Sequence, residues 1–309
     1  MATQLKNYAQ GQWIAGAGKG MPLYHAITGE HIYTAGSEGL DFKGMHDYAR
    51  STGGRVLRKM SFHERARIIK ALALFLNEKK KDLYAISAAT GATKGDSWID
   101  IDGGIGNLFV YASKGRRELP DETFLVDGQL EKISKNGTFA GHHICVPLEG
   151  VAVHINAFNF PVWGMLEKIA VNFLAGMPAI VKPASATSYL TEAAVRQIVE
   201  SGILPEGALQ LICGSAGDLL DHLDCQDVVT FTGSAETGKM LKRHPSIVEH
   251  SIRFNMEADS LNCSILGPDA EPGTEEFNLF VRELSREITI KAGQKCTAIR
   301  RAIVPKHLT

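Results

Sequence analysis

The stretch "VAVHINAFNFPVWGMLEKIAVNFLAGMPAIVKPA", residues 151–184, decides the fold class. "VAVHINA" reads as a short apolar strand, "PVWGMLEKIAVNFLAGM" as a helix begun at Pro161, and "PAIVKPA" as a strand again. A strand that is apolar on both faces needs cover on both, and intervening helices supply it, so the unit belongs to a parallel sheet. The alternation continues toward the C-terminus with the helix "SYLTEAAVRQIVESG", the strand "LQLICG", the short helix "GDLLDHL" and the strand "VVTFTGS". The class is α/β, and function in such sheets gathers at the carboxyl ends of the strands.

Upstream, the chain is helical after a strand-rich start. "LYHAITGEHIYTAG" alternates around a Thr-Gly turn and predicts a hairpin. Ser61 and Glu64 have capping-box spacing ahead of apolar positions at Ile68, Ile69, Leu72 and Leu76. Further helix is expected through "DLYAISAATG" and from Ser97 to about Lys114. "FLVDGQLEKISKNGTFAGHHICV" reads as strands joined at Asp127-Gly128 and Asn136-Gly137, both hairpin signals. At the far end, the helix "EEFNLFVRELSREITIKAG" leads to Cys296, and a last strand, "AIRRAIV", has no partner after it.

The 309 residues suffice for roughly two domains with hydrophobic cores. Thirty-three basic and 34 acidic residues nearly cancel, which argues against nucleic acid or a membrane surface as partner. No apolar stretch reaches the length of a membrane span, and "MATQLKNYAQGQW" lacks the apolar core of a signal peptide. The 5 cysteines are odd in number and widely spaced, without CxxC, which disfavours a disulfide framework or a zinc site. The expected setting is a reducing cytoplasm, with no metal.

Several residues carry candidate chemistry, each beside a plainer explanation. "GSAETGKM", residues 233–240, follows a strand and opens a helix, but Met240 stands where a phosphate-binding P-loop needs a magnesium-binding hydroxyl. A nucleotide switch is thereby disfavoured. The helix start remains an anion site through free N–H groups with Ser234 as N-cap, or else an ordinary turn. Asn159 follows a strand and is either a cleft-facing amide or a turn residue. Lys182 ends a buried strand, with Ser185 in the same loop, and either reaches a ribose or phosphate or is merely solvated. Glu257 lies between two strand-like runs, as a general base with a pKa raised by burial or as a solvated acid. Cys296 is a nucleophile or an inert small hydrophobe. His142-His143 lacks helical metal-ligand spacing.

"NFP", "KPAS", "FTGS", the glutamate of "MEADS" and "GQKC" occur in the order and approximate spacing of the aldehyde dehydrogenase superfamily, which the chain resembles over nearly its whole length. "INAFNFPVWGMLEK", "SAGDLLDHL", "MEADSLNC" and "AGQKCTAIRR" resemble more closely still its branch of bifunctional ring-opening proteins in phenylacetate degradation, where a hydratase-like domain follows the dehydrogenase. The resemblance implies a Rossmann-like NAD(P)-binding domain over 1–124 and 148–258, the start of an oligomerisation hairpin over 125–147, and the beginning of an α/β catalytic domain over 259–309. It implies a Cys296 thiolate that attacks the aldehyde, an oxyanion held by Asn159 and the Cys296 N–H, and Glu257 as the base for hydrolysis. Cofactor contacts would come from Ile155, Phe158, Lys182, Ser185, Gly214, Gly217, Phe231, Gly233, Ser234 and Thr237.

Phe158 stands where the family often has tryptophan. The usual "ELGG" is "EADS", and the NAD-preferring glutamate of "KP-x-E" is Ser185. The implied cofactor is NADP, with NAD second; the implied substrate is a CoA-linked semialdehyde, and the full-length protein a homo-oligomer. A CoA-acylating dehydrogenase, another semialdehyde dehydrogenase and an inactive binding homologue are the alternatives. Family catalytic domains continue beyond the cysteine, so the chain reads as a fragment with little activity of its own.

Overall fold

A computed structural model describes residues 2–309. Its main sheet has 7 strands, in the spatial order Arg253–Ala258, Val228–Gly233, Ala152–Ile155, Ala179–Lys182, Leu209–Leu211, Lys6–Ala9, Gln12–Ala15. The first five in that order are mutually parallel. Their side chains alternate between two cores, as the pleat requires: Ala179 and Val181 face one, Ile180 the other. Helices Phe62–Ser87, Lys94–Arg117, Pro161–Leu174 and Ser188–Glu200 cover the first face through residues such as Leu72, Leu108, Leu166 and Ile198. Shorter elements, Phe42–Tyr48, Leu219–His222 and Pro245–Glu249, cover the second through Met45, Leu219 and Ile247.

The last two strands form an antiparallel hairpin that turns at Gln10 and Gly11, both at positive φ, and joins the sheet through Leu211 opposite Tyr8. Asn7, fully buried, stitches it in place. Its side chain donates to the Gly36 carbonyl at 2.9 Å and accepts the Cys213 N–H at 2.7 Å. The "LYHAITGEHIYTAG" hairpin is present as Met21–Tyr24 paired with His31–Ala35.

Ser61 and Glu64 form the expected capping box: the Ser61 N–H donates to Glu64 Oε2 at 2.7 Å and the Glu64 N–H to Ser61 Oγ at 3.2 Å. A second box, Thr93 with Asp96, starts the next helix at Lys94, ahead of the expected Ser97. The strands expected around two turns are a single hairpin, Leu125–Lys132 with Ala140–Cys145, which turns near Asn136-Gly137. Asp127-Gly128 is instead a register irregularity inside the first strand, with Gly128 at φ 77. A bulge and a tight turn both need a residue at positive φ, so the dipeptide signals either. The last strand, Ile299–Ile303, does have a partner, but one that precedes it: Asn262–Ile265, in parallel. Helix Glu275–Thr289 connects the two. No helix among the described residues is long and apolar enough to cross a membrane.

Candidate active site

The parallel strands bring most of the singled-out residues to one edge. Ile155 is in register with Phe231 on one side and Lys182 on the other, and Thr232 is in register with Glu257. Glu257, Gly233, Asn156, Lys182 and Gly214 therefore lie at or just beyond neighbouring strand ends.

Cys296 arrives from outside this sheet, on the loop between helix Glu275–Thr289 and strand Ile299–Ile303. Asn159 Nδ2 donates to the Gln294 carbonyl at 2.7 Å, and Asn262 Nδ2 donates to the Cys296 carbonyl at 2.8 Å. Lys295 pairs with Glu287 at 2.7 Å, and Arg300 donates to the Gly293 carbonyl at 2.6 Å. The loop is thus anchored at Gly293, Gln294, Lys295 and the Cys296 carbonyl, while the Cys296 side chain is exposed and its N–H has no acceptor among the described residues. A primary amide has two N–H donors. With one committed to the Gln294 carbonyl, Asn159 keeps a second donor, and the Cys296 N–H, two residues on, is also uncommitted among the described residues. All 5 cysteines are free; Cys213 is buried, and burial pushes its thiol well up, whereas Cys296 is open to reagents.

Of the two readings of Glu257, the structure has the exposed one: the side chain is open to solvent rather than buried. It makes no hydrogen bond to Asn159 or Cys296 among the described residues. The helix start at Ser234 is also less open than expected. Ser234 Oγ accepts the Thr237 N–H at 3.3 Å, as an N-cap should, but Asp259 Oδ1 accepts the Ala235 N–H at 3.1 Å. Asp259, at φ 54, occupies a position where the commoner pattern has glycine.

The sequence reading missed Lys168. It lies in helix Pro161–Leu174, mostly buried, and its Nζ donates to Asn156 Oδ1 and Thr232 Oγ1, each at 2.9 Å. Burial lowers its pKa, against the opposing pull of Glu167 and Glu257. The ammonium ties two strand ends together next to Glu257. The one lysine in a largely apolar helix, beside Glu167, was the available signal. Asp100 was missed too: fully buried, it accepts the N–H groups of Val162 and Trp163 at 3.1 and 2.7 Å through Oδ1. It thereby fixes the first turn after Asn159.

A cavity of about 460 Å³ collects Ser185, Gly214 and Gly217 with the segment 35–39 and Phe42. Gly217 has φ 52, and a Cβ there would overlap the Phe42 ring. A Cβ on Gly214 would overlap Ser37, whose hydroxyl donates to the Ser215 carbonyl at 2.7 Å. The glycines keep the chain close and leave the cleft open. Lys182 borders this edge, half-buried, and burial lowers its pKa; it makes no ion pair among the described residues. Ile155 and Phe231 are buried, and Phe158 is exposed with its carbonyl held by Thr187. The segment 35–39, including the exposed Glu38, was not foreseen as part of the cavity.

A family model described as "Aldehyde dehydrogenase family" matches residues 13–309. The chain is 47% identical to a 3,4-dehydroadipyl-CoA semialdehyde dehydrogenase of Aromatoleum evansii, over 98% of this chain and 59% of that protein. It is 28% identical to a D-glyceraldehyde dehydrogenase (NADP(+)) of Picrophilus torridus, over 98% of this chain and 59% of the relative. The chain thus spans about three-fifths of the length of these relatives. Among solved structures, a 3,6-anhydro-L-galactose dehydrogenase in complex with NAP superposes with a TM-score of 0.82 at 22% identity, covering 98% of this chain and 61% of that one.

Proposed function

The chain belongs to the aldehyde dehydrogenase family, and from that premise we propose that the protein oxidises an aldehyde to a carboxylic acid through Cys296, with NADP as hydride acceptor. The observation that carries the reading is the clamp that sets the Asn159 amide against the Cys296 loop, 2.7 Å from the Gln294 carbonyl. The Cys296 thiolate attacks the aldehyde carbon to form a thiohemiacetal. The remaining Asn159 N–H and the Cys296 N–H hold the oxyanion. A bound nicotinamide would supply the hydride acceptor, with Ser185, Gly214 and Gly217 lining the cleft that would hold its adenosine end. Loss of hydride leaves a thioester on Cys296. Glu257 takes a proton from the water that attacks this thioester, and the acid departs as the thiolate is restored. A carboxylate at this strand end favours hydrolysis over acyl transfer to CoA.

Asn159→Ala in the full-length protein should lower kcat by roughly 10²–10³, the usual effect of removing one oxyanion donor. An effect confined to KM would mean that Asn159 only positions substrate.

The substrate we propose is a CoA-linked semialdehyde, supported by the name of the 47% identical relative; the proposed setting is phenylacetate-type catabolism. Residues 1–124 and 148–258 would form the cofactor domain and 259–309 the start of the catalytic domain. The hairpin of 125–147 exposes Leu130, Ile133, Phe139, Ile144 and Val146, and an apolar, exposed two-stranded ribbon supports subunit contact in a homo-oligomer.

For the cofactor, a glutamate at 185 would accept hydrogen bonds from both ribose hydroxyls of NAD and repel a 2′-phosphate. Ser185 removes that repulsion, and Lys182 supplies nearby positive charge. Glu38 also lines the cavity, and a 2′-phosphate must avoid it. Wild-type protein should show the higher kcat/KM with NADP, and Ser185→Glu should move the NADP-to-NAD ratio toward NAD by about tenfold or more, ~1.4 kcal/mol. An unchanged ratio would show that position 185 does not face the ribose.

A further inference from the structure

A second cavity, of about 790 Å³, opens between the start of helix Lys94–Arg117 and the segment that leads to Cys296. Asp96, Trp98, Arg286, Lys291 and Gln294 line it. Lys291 is 8% exposed, yet its Nζ makes no hydrogen bond and no ion pair among the described residues. The Phe160 ring, next in sequence to Asn159, lies 5.5 Å away to the centroid, and the Asp100 and Asp96 carboxylates act on the ammonium through space without an ion pair. An ammonium on so buried a residue, with no hydrogen-bond partner, is costly.

The backbone holds it there at further cost. Lys291 and Ala292 are consecutive residues at φ 55 and 52, a region that residues with a Cβ rarely enter. The Lys291 N–H is tied to Asp96 Oδ1 at 2.9 Å. Asp96 is in turn fixed by the capping box with Thr93. Strain of this kind concentrates at functional sites. The two nearby carboxylates attract this ammonium but make no ion pair with it: Asp96 is held as described, and Asp100 Oδ1 accepts the N–H groups of Val162 and Trp163. Asp100 Oδ2 is buried without a partner, and burial pushes this acid up to about 7.

We propose that this cavity is the acyl-chain subsite of a semialdehyde substrate, in which the Lys291 ammonium hydrogen-bonds an acyl oxygen, carboxylate or thioester, at the end remote from the aldehyde. The inference rests on the aldehyde oxidation proposed above. Gln294 lines the cavity two residues before Cys296, and its carbonyl accepts the Asn159 amide, so the cavity adjoins the loop that carries the thiol. Trp98, 61% exposed, and Arg286 stand at the same cavity with a flat ring and a cation, suited to whatever lies beyond a thioester.

The test compares full-length wild type, Lys291→Met and Lys291→Arg on three aldehydes: butanal, succinate semialdehyde and a CoA-linked semialdehyde. Lys291→Met should lower kcat/KM about 10–100-fold, through KM, for whichever semialdehyde is the substrate, while butanal changes less than about threefold; Lys291→Arg should recover most of the loss. The carboxylate and thioester arms show which acyl oxygen is read. Equal losses on butanal and the semialdehydes, or no loss on any, overturn the subsite.

A binding arm avoids turnover and folding objections. Trp98→Ala, on an exposed side chain, should weaken the equilibrium binding of the semialdehyde that wild type prefers to Cys296→Ala protein. Unchanged affinity overturns the subsite. Binding at Trp98 with no oxidation by wild type would instead sink the proposed activity and spare the cavity.

Discussion

Full-length protein carrying Cys296→Ala should bind cofactor with unchanged affinity and lose aldehyde oxidation by about 10⁴-fold or more, as loss of a covalent nucleophile does. Exposure sets Cys296 apart from Cys213, and the Asn159 tie to its loop sets it apart from the exposed Cys145, Cys225 and Cys263. Cys213 is packed under the hairpin that begins at Lys6, its N–H is spent on Asn7 at 2.7 Å, and burial disfavours its thiolate. Cys296 is exposed on a loop whose two sides are pinned by Asn159 and Asn262. Alanine removes the sulfur and leaves those backbone ties intact, so cofactor affinity, read by calorimetry, serves as the folding control. Turnover near the wild-type rate would remove Cys296 from the mechanism.

What was legible in the sequence was local or imposed on both faces of an element. Strands such as "AIVK" announce a parallel sheet because each residue must meet a core, whichever way it points. The Ser61 capping box is visible because its partners are three residues apart. Long-range pairings left no such mark. That Tyr8 would lie opposite Leu211, or that "AIRRAIV" would pair backward with Asn262–Ile265, depends on where distant segments meet. Asp127-Gly128 reports only a backbone at positive φ, which a bulge satisfies as well as a turn.

The site shows the same division. Asn159, Glu257 and Cys296 stand out through motif order, but burial is a property of the assembled structure, and only that structure decides between a buried and a solvated Glu257. Lys168, Asp100 and Lys291 escaped notice because their meaning lies in partners far along the chain. Asp100 acts on the N–H groups of Val162 and Trp163, and Lys291 faces Phe160.

Glu257→Gln should split the reaction in two. Attack by the thiolate and departure of the hydride need no group that takes a proton from water, whereas hydrolysis of the thioester does. Glutamine keeps the size of the side chain and the register of strand Arg253–Ala258 opposite Thr232, but cannot accept that proton. The variant should therefore give a single burst of reduced cofactor, about one per active site, followed by steady turnover lowered by roughly 10²–10⁴-fold. Intact mass should then find the acyl group on the protein, and digestion should place it on Cys296. The exposed position of Glu257 makes the outcome informative, since water reaches this strand end in the variant as readily as in the wild type. A slow second phase thus reports the missing base rather than a missing water. Loss of the burst without an adduct would place Glu257 before hydride transfer. Wild type that releases its acyl group only when free CoA is added would turn the reading from hydrolysis to acyl transfer.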